Sequence, residues 1–235
     1  MDQQLPEIIF EDKYLLAINK PAGLLSIRDG YNTFSPYVTK LFEPYYGKLW
    51  IVHRLDRDTS GIMILARDRE SHRLLNIDFE NRKIQKIYHA IVNGIPLWKD
   101  HLVDVPLKVN GDRHHRTTAD SRLGKPAQTK LKILRTTENF SLLEAIPLSG
   151  YTHQIRAHLF SLGISILADP LYIPHPLKSN PQNSAPNSIL PPISRLALHA
   201  CSIIFQHPIT NTNLTLVAPY PEDFKSAIQK LSLSE

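Results

Sequence analysis

The chain has 235 residues, 42% of them hydrophobic and 21% charged, which is typical of a globular protein with a substantial core and excludes a disordered tail or a fibre. No apolar run reaches the roughly 18 residues of a membrane span, and the acidic N-terminus lacks the pattern of a signal peptide, so we expect a cytoplasmic protein with no membrane partner. The formal net charge of +5 is compatible with a polyanionic partner, and the single cysteine, Cys201, excludes intrachain disulfides and thiolate metal cages.

The first part of the chain reads as short strands separated by turns and helices. A strand pair is predicted from EIIFED and YLLAINKP, and Ser35 before a proline predicts the start of a short helix. Apolar residues at 49–52 and 62–66 predict two strands on either side of the polar turn HRLDRDTSG. Asp68 can cap the following helix, and KIQKIYHAIVNG has the β-branched and aromatic residues of another strand.

The second part begins with a polar, basic segment, residues 105–126, for which we predict a long surface hairpin or loop. Two paired strands are predicted from LKILRTT and FSLLEAIPL, followed by a helix with Thr152 as its N-cap and Gly163 at its end. On this helix we expect Arg156 to lie beside an apolar stripe and to point sideways out of the core. Further strands and a terminal helix close the chain.

Strands occur in adjacent pairs with a few helices between them, and this order favours an α+β fold with a mixed, largely antiparallel sheet and flanking helices and loops. The sequence contains no internal repeat and no break in composition, so we expect a single domain over residues 1–235. Residues 173–192 are rich in proline, asparagine and serine, and we interpret them as a flexible surface loop within that domain.

The common signatures of cofactor and metal chemistry are missing from the sequence. It contains no GxG pair, no GxxxxGK[ST] loop, no GxSxG elbow and no two histidines spaced as in HExxH. We therefore expect neither a cofactor nor a metal.

Two acidic residues, Asp56 and Asp58, stand in the polar turn. They permit a glycosidase in which one carboxylate is the acid and the other the nucleophile. They equally permit a structural turn in which Asp56 binds backbone amides and the neighbouring arginines are surface cations. Spacing alone leaves both interpretations open.

A resemblance to a known family covers nearly the whole chain. The stretches that carry it occur in the order NKPAGLLS, HRLDRDTSGIMILA, KIYHAIVNG, GKPAQTKLKIL, LSGYTHQIRAHLFSLGISILADPLY, RLALHACSIIFQHP and LVAPYPEDF. Together they are similar to the RluA-type pseudouridine synthases. The resemblance implies the pseudouridine synthase fold and the isomerisation of a specific uridine to pseudouridine in transfer RNA or large-subunit ribosomal RNA. It implies no cofactor and, by default, a monomer.

Carried over residue by residue, the resemblance makes Asp56 the nucleophile, Tyr88 the aromatic residue that meets the target uracil, and Arg156 the cation paired with Asp56. The remaining residues that we expect to contact the substrate RNA are His53, Arg54, Thr59, His153, Arg113 and Arg116. The two last residues lie in the basic 105–126 segment, where cations are expected to bind phosphates.

The sequence departs from the family at three places. Tyr151 stands where relatives commonly have an arginine, Leu131 stands where an aromatic residue is usual, and we expect the N-terminal RNA-binding S4 domain of many relatives to be absent. RNA affinity would then come from the catalytic domain. Two other functions stay open, namely a non-catalytic RNA-binding or ribosome-assembly module on the same fold, and a nucleoside or sugar hydrolase that uses both acidic residues.

Overall fold

The structure is a computed structural model that describes residues 5–30, 32, 34–173 and 192–233. Of the predicted flexible loop 173–192, residues 174–191 lie outside the described residues. Contacts within the chain define two compact units, of which unit 1 comprises Met1–Ile87 and His199–Tyr220 and unit 2 comprises Tyr88–Leu198 and Pro221–Glu235. The single catalytic domain expected from the sequence stays a prediction.

Unit 1 is built on a mixed sheet with two helices. Its elements are β1 (Glu7–Glu11), β2 (Leu15–Lys20), α1 (Val38–Tyr46), β3 (Trp50–Ile51), β4 (Ser60–Ala66), α2 (Arg69–Glu80), most of β11 (Leu198–Gln206) and β12 (Asn213–Val217). Strand β2 lies between β1 and β4, and β3 also pairs with β4. Strand β11 pairs in parallel with β4 and antiparallel with β12. Every residue of β4 is buried, so the polar turn is attached to the core of this unit.

Unit 2 contains an antiparallel sheet, a separate hairpin and two helices. Its elements are most of β5 (Gln85–Asn93), β6 (Asp100–Asp104), β7 (Leu107–Lys108), β8 (Thr118–Ala119), β9 (Gln128–Thr136), β10 (Phe140–Pro147), α3 (Gln154–Ser161) and α4 (Glu222–Lys230). The sheet order is β5, β10, β9, β6, with each neighbouring pair antiparallel. Strands β7 and β8 form the hairpin that was predicted for residues 105–126.

The α+β fold with a mixed, mostly antiparallel sheet is therefore confirmed. The cap of α2 is also confirmed, because the carboxylate of Asp68 accepts hydrogen bonds from the amides of Glu70 and Ser71. The predicted cap at Ser35 is wrong. Helix α1 begins at Val38, whose amide bonds to the carbonyl of Leu25, and this bond holds the preceding residue extended.

The predicted cap of α3 at Thr152 is wrong as well. His153, in the left-handed conformation with φ 57°, precedes the first helical residue, Gln154. The carboxamide of Gln154 reaches back and accepts a hydrogen bond from the amide of Tyr151, which takes the place of a hydroxyl cap. The end at Gly163 is confirmed, since this glycine has φ 74° and its amide bonds to the carbonyl of Phe160.

Candidate active site

The polar turn that carries Asp56 runs from the end of β3 to the start of β4. It is closed by a hydrogen bond of 3.1 Å from the amide of Thr59 to the carbonyl of Asp56. Asp56 is half-buried, whereas Arg54 and Arg57 on either side of it are exposed. The turn therefore holds a half-buried carboxylate next to a buried strand, with an exposed arginine two residues before it and another directly after it.

Residues 20–26 hold this turn from one side. The hydroxyl of Ser26 donates to the carbonyl of Leu55 at 2.7 Å and accepts from the amide of Leu55 at 3.1 Å. The amide of Gly23 donates to the carbonyl of Arg57 at 2.9 Å. The backbone is thus bound on both sides of Asp56, which limits the conformations that the turn can adopt.

Lys20 completes this attachment from inside the core. Its side chain is fully buried, and its ammonium group donates to the carbonyls of Pro21, Leu24 and Arg57 at 2.9, 2.8 and 3.0 Å. A buried charge is tolerated only when such acceptors satisfy it. Sequence reasoning missed Lys20 and Ser26, although a lysine that ends an apolar strand in NKPAGLLS was a usable signal.

His53 is engaged within unit 1. Its Nε2 accepts a hydrogen bond of 2.9 Å from the amide of Ile64, and its ring stacks on Phe79 with the centroids 4.9 Å apart. Burial, with a smaller contribution from the positive charge of Lys86, lowers the pKa of His53 to about 3. The imidazole is therefore neutral at physiological pH, and the expected contact with RNA stays a prediction.

Thr59 and Asp58 differ in their surroundings. Thr59 is buried, and its Oγ1 is the one buried side-chain oxygen or nitrogen within the described ranges that has no hydrogen-bond partner. Asp58 lies at the surface, 3.7 Å from Nε of Arg57, with 46% of its side chain exposed. Asp58 thus forms an ion pair at the protein surface with Arg57, one of the arginines that the structural interpretation takes as surface cations.

In unit 2, Tyr88 lies on β5 opposite Ala145 of β10 and is half-buried. The next residue, His89, is opposite Glu144, and burial lowers its pKa to about 4. The backbone of Tyr88 is therefore held in place by the pairing of β5 with β10.

Arg156, on α3, forms a buried ion pair with Asp169. Its Nε and Nη2 donate to the two carboxylate oxygens at 2.8 and 2.7 Å, and only 5% and 1% of the two side chains are exposed. Asp169 also accepts from the amides of Leu171 and Tyr172, so the carboxylate is itself held in place. Sequence reasoning missed Asp169, and the motif LADPLY that contains it was the available signal.

The polar residues of α3 are buried together with its apolar ones. The carboxamide of Gln154 bonds to Ser149 and Thr129, and His158 bonds to Thr129 and to the carbonyl of Val105. The expected division into an apolar stripe and a sideways-pointing polar face is therefore wrong, because α3 is buried from Gln154 to Leu159. Partners on other elements of the unit make this burial possible.

The other predicted residues of unit 2 lie at the hairpin and beside it. Arg113 is exposed. Arg116 is half-buried, and its Nε donates to Asp112 at 2.7 Å while its Nη1 donates to the carbonyl of Leu171 at 2.8 Å. Nδ1 of His153 lies 3.3 Å from the hydroxyl of Tyr172. The structure thus brings Arg116, His153 and Arg156 together around Tyr172.

In the described part of the chain, no three histidine, cysteine or acidic side chains are grouped so that they could hold a metal ion. Nor does any helix of that part have the length and apolarity needed to cross a membrane.

Comparisons with known proteins identify the class to which this fold and these residues belong. The signature of the family described as RNA pseudouridylate synthase matches residues 14–161. Ribosomal large subunit pseudouridine synthase D of Zymomonas mobilis is 34% identical over 99% of this chain and 75% of its own length. Ribosomal large subunit pseudouridine synthase C of Buchnera aphidicola is 37% identical over 97% of this chain and 71% of its own.

A solved structure gives the same result. Human RNA Pseudouridylate Synthase Domain Containing 4 superposes with a TM-score of 0.75 and 28% identity, and the match covers 96% of this chain and 93% of that one. The chain belongs to the RNA pseudouridylate synthase family. It is an isomerase that converts uridine to pseudouridine in RNA, as the resemblance implied.

Proposed function

We propose that this protein modifies a specific uridine of large-subunit ribosomal RNA in the cytoplasm, as a monomer, with Asp56 as its nucleophile. The observation that carries the proposal is the doubly held turn, in which Lys20 and Ser26 bind the backbone on both sides of Asp56. The substrate is proposed because the matched relatives of Zymomonas and Buchnera are named for the large ribosomal subunit. Transfer RNA is the alternative substrate.

The reaction depends on a carboxylate that is held in a fixed position and not on a cofactor. The bond from N1 of uracil to C1′ of the ribose breaks, a bond from C5 to C1′ forms, the hydrogen on C5 leaves as a proton, and N1 takes up a proton. Atoms are conserved apart from this exchange, and no oxidation or hydrolysis occurs. Asp56 acts by attack on C1′, by attack on C6 of the uracil, or by first removing a ribose proton. Each route requires the carboxylate to be held in position, and a turn with a fixed backbone provides this.

Arg156 is the cation that we propose to pair with Asp56, and Tyr88 is the aromatic residue that we propose to meet the target uracil. Asp169 binds Nε and Nη2 of Arg156. The guanidinium plane is thereby oriented before substrate arrives, as preorganised electrostatic catalysis requires. Tyr88 is half-buried, and an aromatic ring of this kind can stack on a base.

The target nucleotide must leave its stack to reach these residues, and contacts to the RNA backbone offset that cost. We propose the exposed Arg54 and Arg113 as phosphate contacts, helped by Lys108 and Arg122 of the same basic segment. Arg116 would add a phosphate contact through Nη2, because its other donors already bind within the protein. Contacts from His53, Thr59 and His153 to the substrate are part of the same proposal.

Pseudouridine mapping at single-nucleotide resolution tests the proposal. Total RNA is compared between cells that lack this protein and cells rescued with the wild type, with Asp56→Asn, or with Asp58→Asn. Asp58 provides a matched control, since it lies in the same turn but at its surface. We expect the loss of one or a few sites in large-subunit ribosomal RNA, with rescue by the wild type and by Asp58→Asn and no rescue by Asp56→Asn.

Each other outcome selects a different explanation. Rescue by Asp56→Asn would remove Asp56 as the nucleophile and favour the non-catalytic RNA-binding module. If neither variant rescues the modification and the wild-type enzyme releases free uracil from RNA in vitro, the hydrolase that uses two carboxylates is favoured. Loss of a site in transfer RNA only would overturn the ribosomal assignment and leave the nucleophile in place.

A further inference from the structure

The guanidinium groups of two arginines lie over the ring of Tyr172 in the core of unit 2. The ring centroid is 5.0 Å from Cζ of Arg156 and 5.6 Å from Cζ of Arg116, and only 2% of the residue is exposed. Cation–π attraction is strongest where both partners are shielded from water. The ring therefore stabilises the guanidinium of Arg156 by a direct contact.

The hydroxyl of Tyr172 binds the β7–β8 hairpin, by which we mean residues 107–119. The amide of Thr117 donates to this hydroxyl at 2.9 Å, and the hydroxyl donates to the carbonyl of Thr117 at 2.9 Å. Burial raises the pKa of Tyr172 to about 12, so the phenol keeps the proton that it donates. One side chain thus satisfies both backbone groups of Thr117, directly before β8.

A second connection runs from the hairpin to the same place. Arg116 joins Asp112, within the hairpin, to the carbonyl of Leu171, the residue before Tyr172. Leu107 of β7, Ala157 of α3 and Tyr172 also belong to one buried apolar cluster. The hairpin therefore cannot shift by itself, because its movement would disturb the surroundings of Tyr172.

The backbone of Tyr172 is tied to Arg156 through Asp169. One oxygen of this carboxylate, Oδ1, accepts from the amide of Tyr172 at 3.1 Å and from Nη2 of Arg156 at 2.7 Å. The ring of Tyr172 thus contacts the guanidinium of Arg156 directly, and its backbone amide is linked to the same guanidinium through Asp169.

From these contacts we infer that Tyr172 is a positioning residue that orients Arg156 and couples its placement to the β7–β8 hairpin. RNA bound by the hairpin would then favour the arrangement in which Arg156 is ready for the reaction. The inference rests on the proposed function, in which Arg156 acts at the target uridine and the hairpin contacts RNA. In this inference the hydroxyl of Tyr172 holds the hairpin, and its ring positions the guanidinium of Arg156.

Two substitutions separate the hydroxyl from the ring. Tyr172→Phe keeps the ring beside Arg156 but removes both hydrogen bonds to Thr117, so we expect KM for RNA to rise about fivefold to tenfold with kcat within about twofold of wild type. Tyr172→Leu removes the ring as well, so we expect kcat to fall at least about tenfold in addition. A role in stability alone would lower the amount of folded enzyme and leave KM unchanged.

Release of tritium from RNA labelled at C5 of uridine measures the reaction, because the new bond displaces the hydrogen at C5. Initial rates give KM and kcat, and the melting temperature of each variant reports folding. Tyr46→Phe is a matched control from unit 1, since that hydroxyl bonds to Glu11 at 3.1 Å and that ring lies 5.2 Å from the guanidinium carbon of Arg67. We expect its KM and kcat to equal those of the wild type.

The inference is overturned if Tyr172→Phe leaves KM unchanged, or if folded Tyr172→Leu keeps the kcat of Tyr172→Phe. If Tyr172→Leu does not fold, Tyr172→Phe decides by itself, because it keeps the ring and removes only the two hydrogen bonds to Thr117. A higher KM of the folded variant would support the coupling, and an unchanged KM would refute it. Arg156→Lys separates the two proposals, since wild-type kcat in that variant would refute the proposed function itself. A low kcat there, with normal kinetics in both tyrosine variants, would refute only the coupling.

Discussion

Replacing Asp169 by asparagine would remove the negative charge from the buried ion pair that holds Arg156. In the folded protein both carboxylate oxygens accept from the guanidinium at 2.7 and 2.8 Å, and the two side chains are almost completely shielded from water. An asparagine can keep the two amide contacts of Asp169 through its oxygen. Its amide nitrogen would then face Nε of Arg156, so the buried guanidinium loses the negative charge of Asp169 and meets a second donor in its place.

The burial of this pair sets the expected magnitude. Removing one partner of a buried ion pair typically costs about 3–5 kcal/mol, because the remaining charge is desolvated and uncompensated. A second bidentate pair in unit 2, Arg195 with Asp223, has similar lengths of 2.6 and 2.8 Å, but 46% of the Asp223 side chain is exposed. The Arg195 side chain keeps 15% of its own surface exposed and water can reach it from the side of Asp223, so Asp223→Asn should cost about 1 kcal/mol.

Urea unfolding can measure both variants within the same unit. The chain has two tryptophans, Trp50 in unit 1 and Trp98 in unit 2, so in a Trp50→Phe background the fluorescence of Trp98 reports on unit 2. We expect the free energy of unfolding to fall by at least about 2 kcal/mol more for Asp169→Asn than for Asp223→Asn. Equal losses would refute the reasoning that burial, and not the number of hydrogen bonds, decides the cost.

Three further predictions concern unit 1. Lys20→Met should destabilise this unit by about 3 kcal/mol, because three carbonyls lose a charged donor. It should also lower the rate of turnover, because the turn that carries Asp56 is held less firmly. Urea unfolding tests the first effect and tritium release tests the second. Folding lowers the pKa of His53 from 6.5 to about 3. Between pH 6.5 and pH 3 the unfolded state therefore binds a proton at this residue that the folded state does not. Stability should therefore fall by about 1.4 kcal/mol per pH unit as pH drops below 6.5, and an NMR titration of His53 near 6.5 would contradict this. Gly61→Ala should cost more than about 3 kcal/mol, since φ is 118° and the new Cβ would lie 2.2 Å from a carbonyl oxygen of β11. As a comparison from unit 2, Gly94→Ala, with φ 86° and no atom within 4 Å, should cost about 1 kcal/mol by urea unfolding.

Local signals in the sequence predicted features that depend on neighbours along the chain. Asp68 caps α2 as expected, because a capping carboxylate needs only the amides two and three residues ahead of it. Gly163 ends α3 for the same reason. Ser35 and Thr152 carried the same kind of signal and were wrong, since bonds to Leu25 and within the 151–154 turn moved both helix starts.

The site was predictable where a motif named the residue and not where packing created the partner. Motif resemblance singled out Asp56, Tyr88 and Arg156, whose roles stay predictions. Lys20 and Asp169 stood in the quoted motifs without being recognised. Their importance comes from burial and from acceptors or donors that lie up to 37 residues away in the chain.

The sequence by itself determined the family, the reaction and the class of fold, because these follow from ordered motifs and from hydrophobic patterns with short periods. Only the tertiary structure decided which polar residues are buried and which groups they bind. Arg116 illustrates the difference, since a basic loop suggested a surface cation and the structure shows a half-buried side chain that bonds to Leu171. A charge can leave water only where fixed partners replace its hydration, and whether such partners meet is decided by the folding of distant segments onto one another.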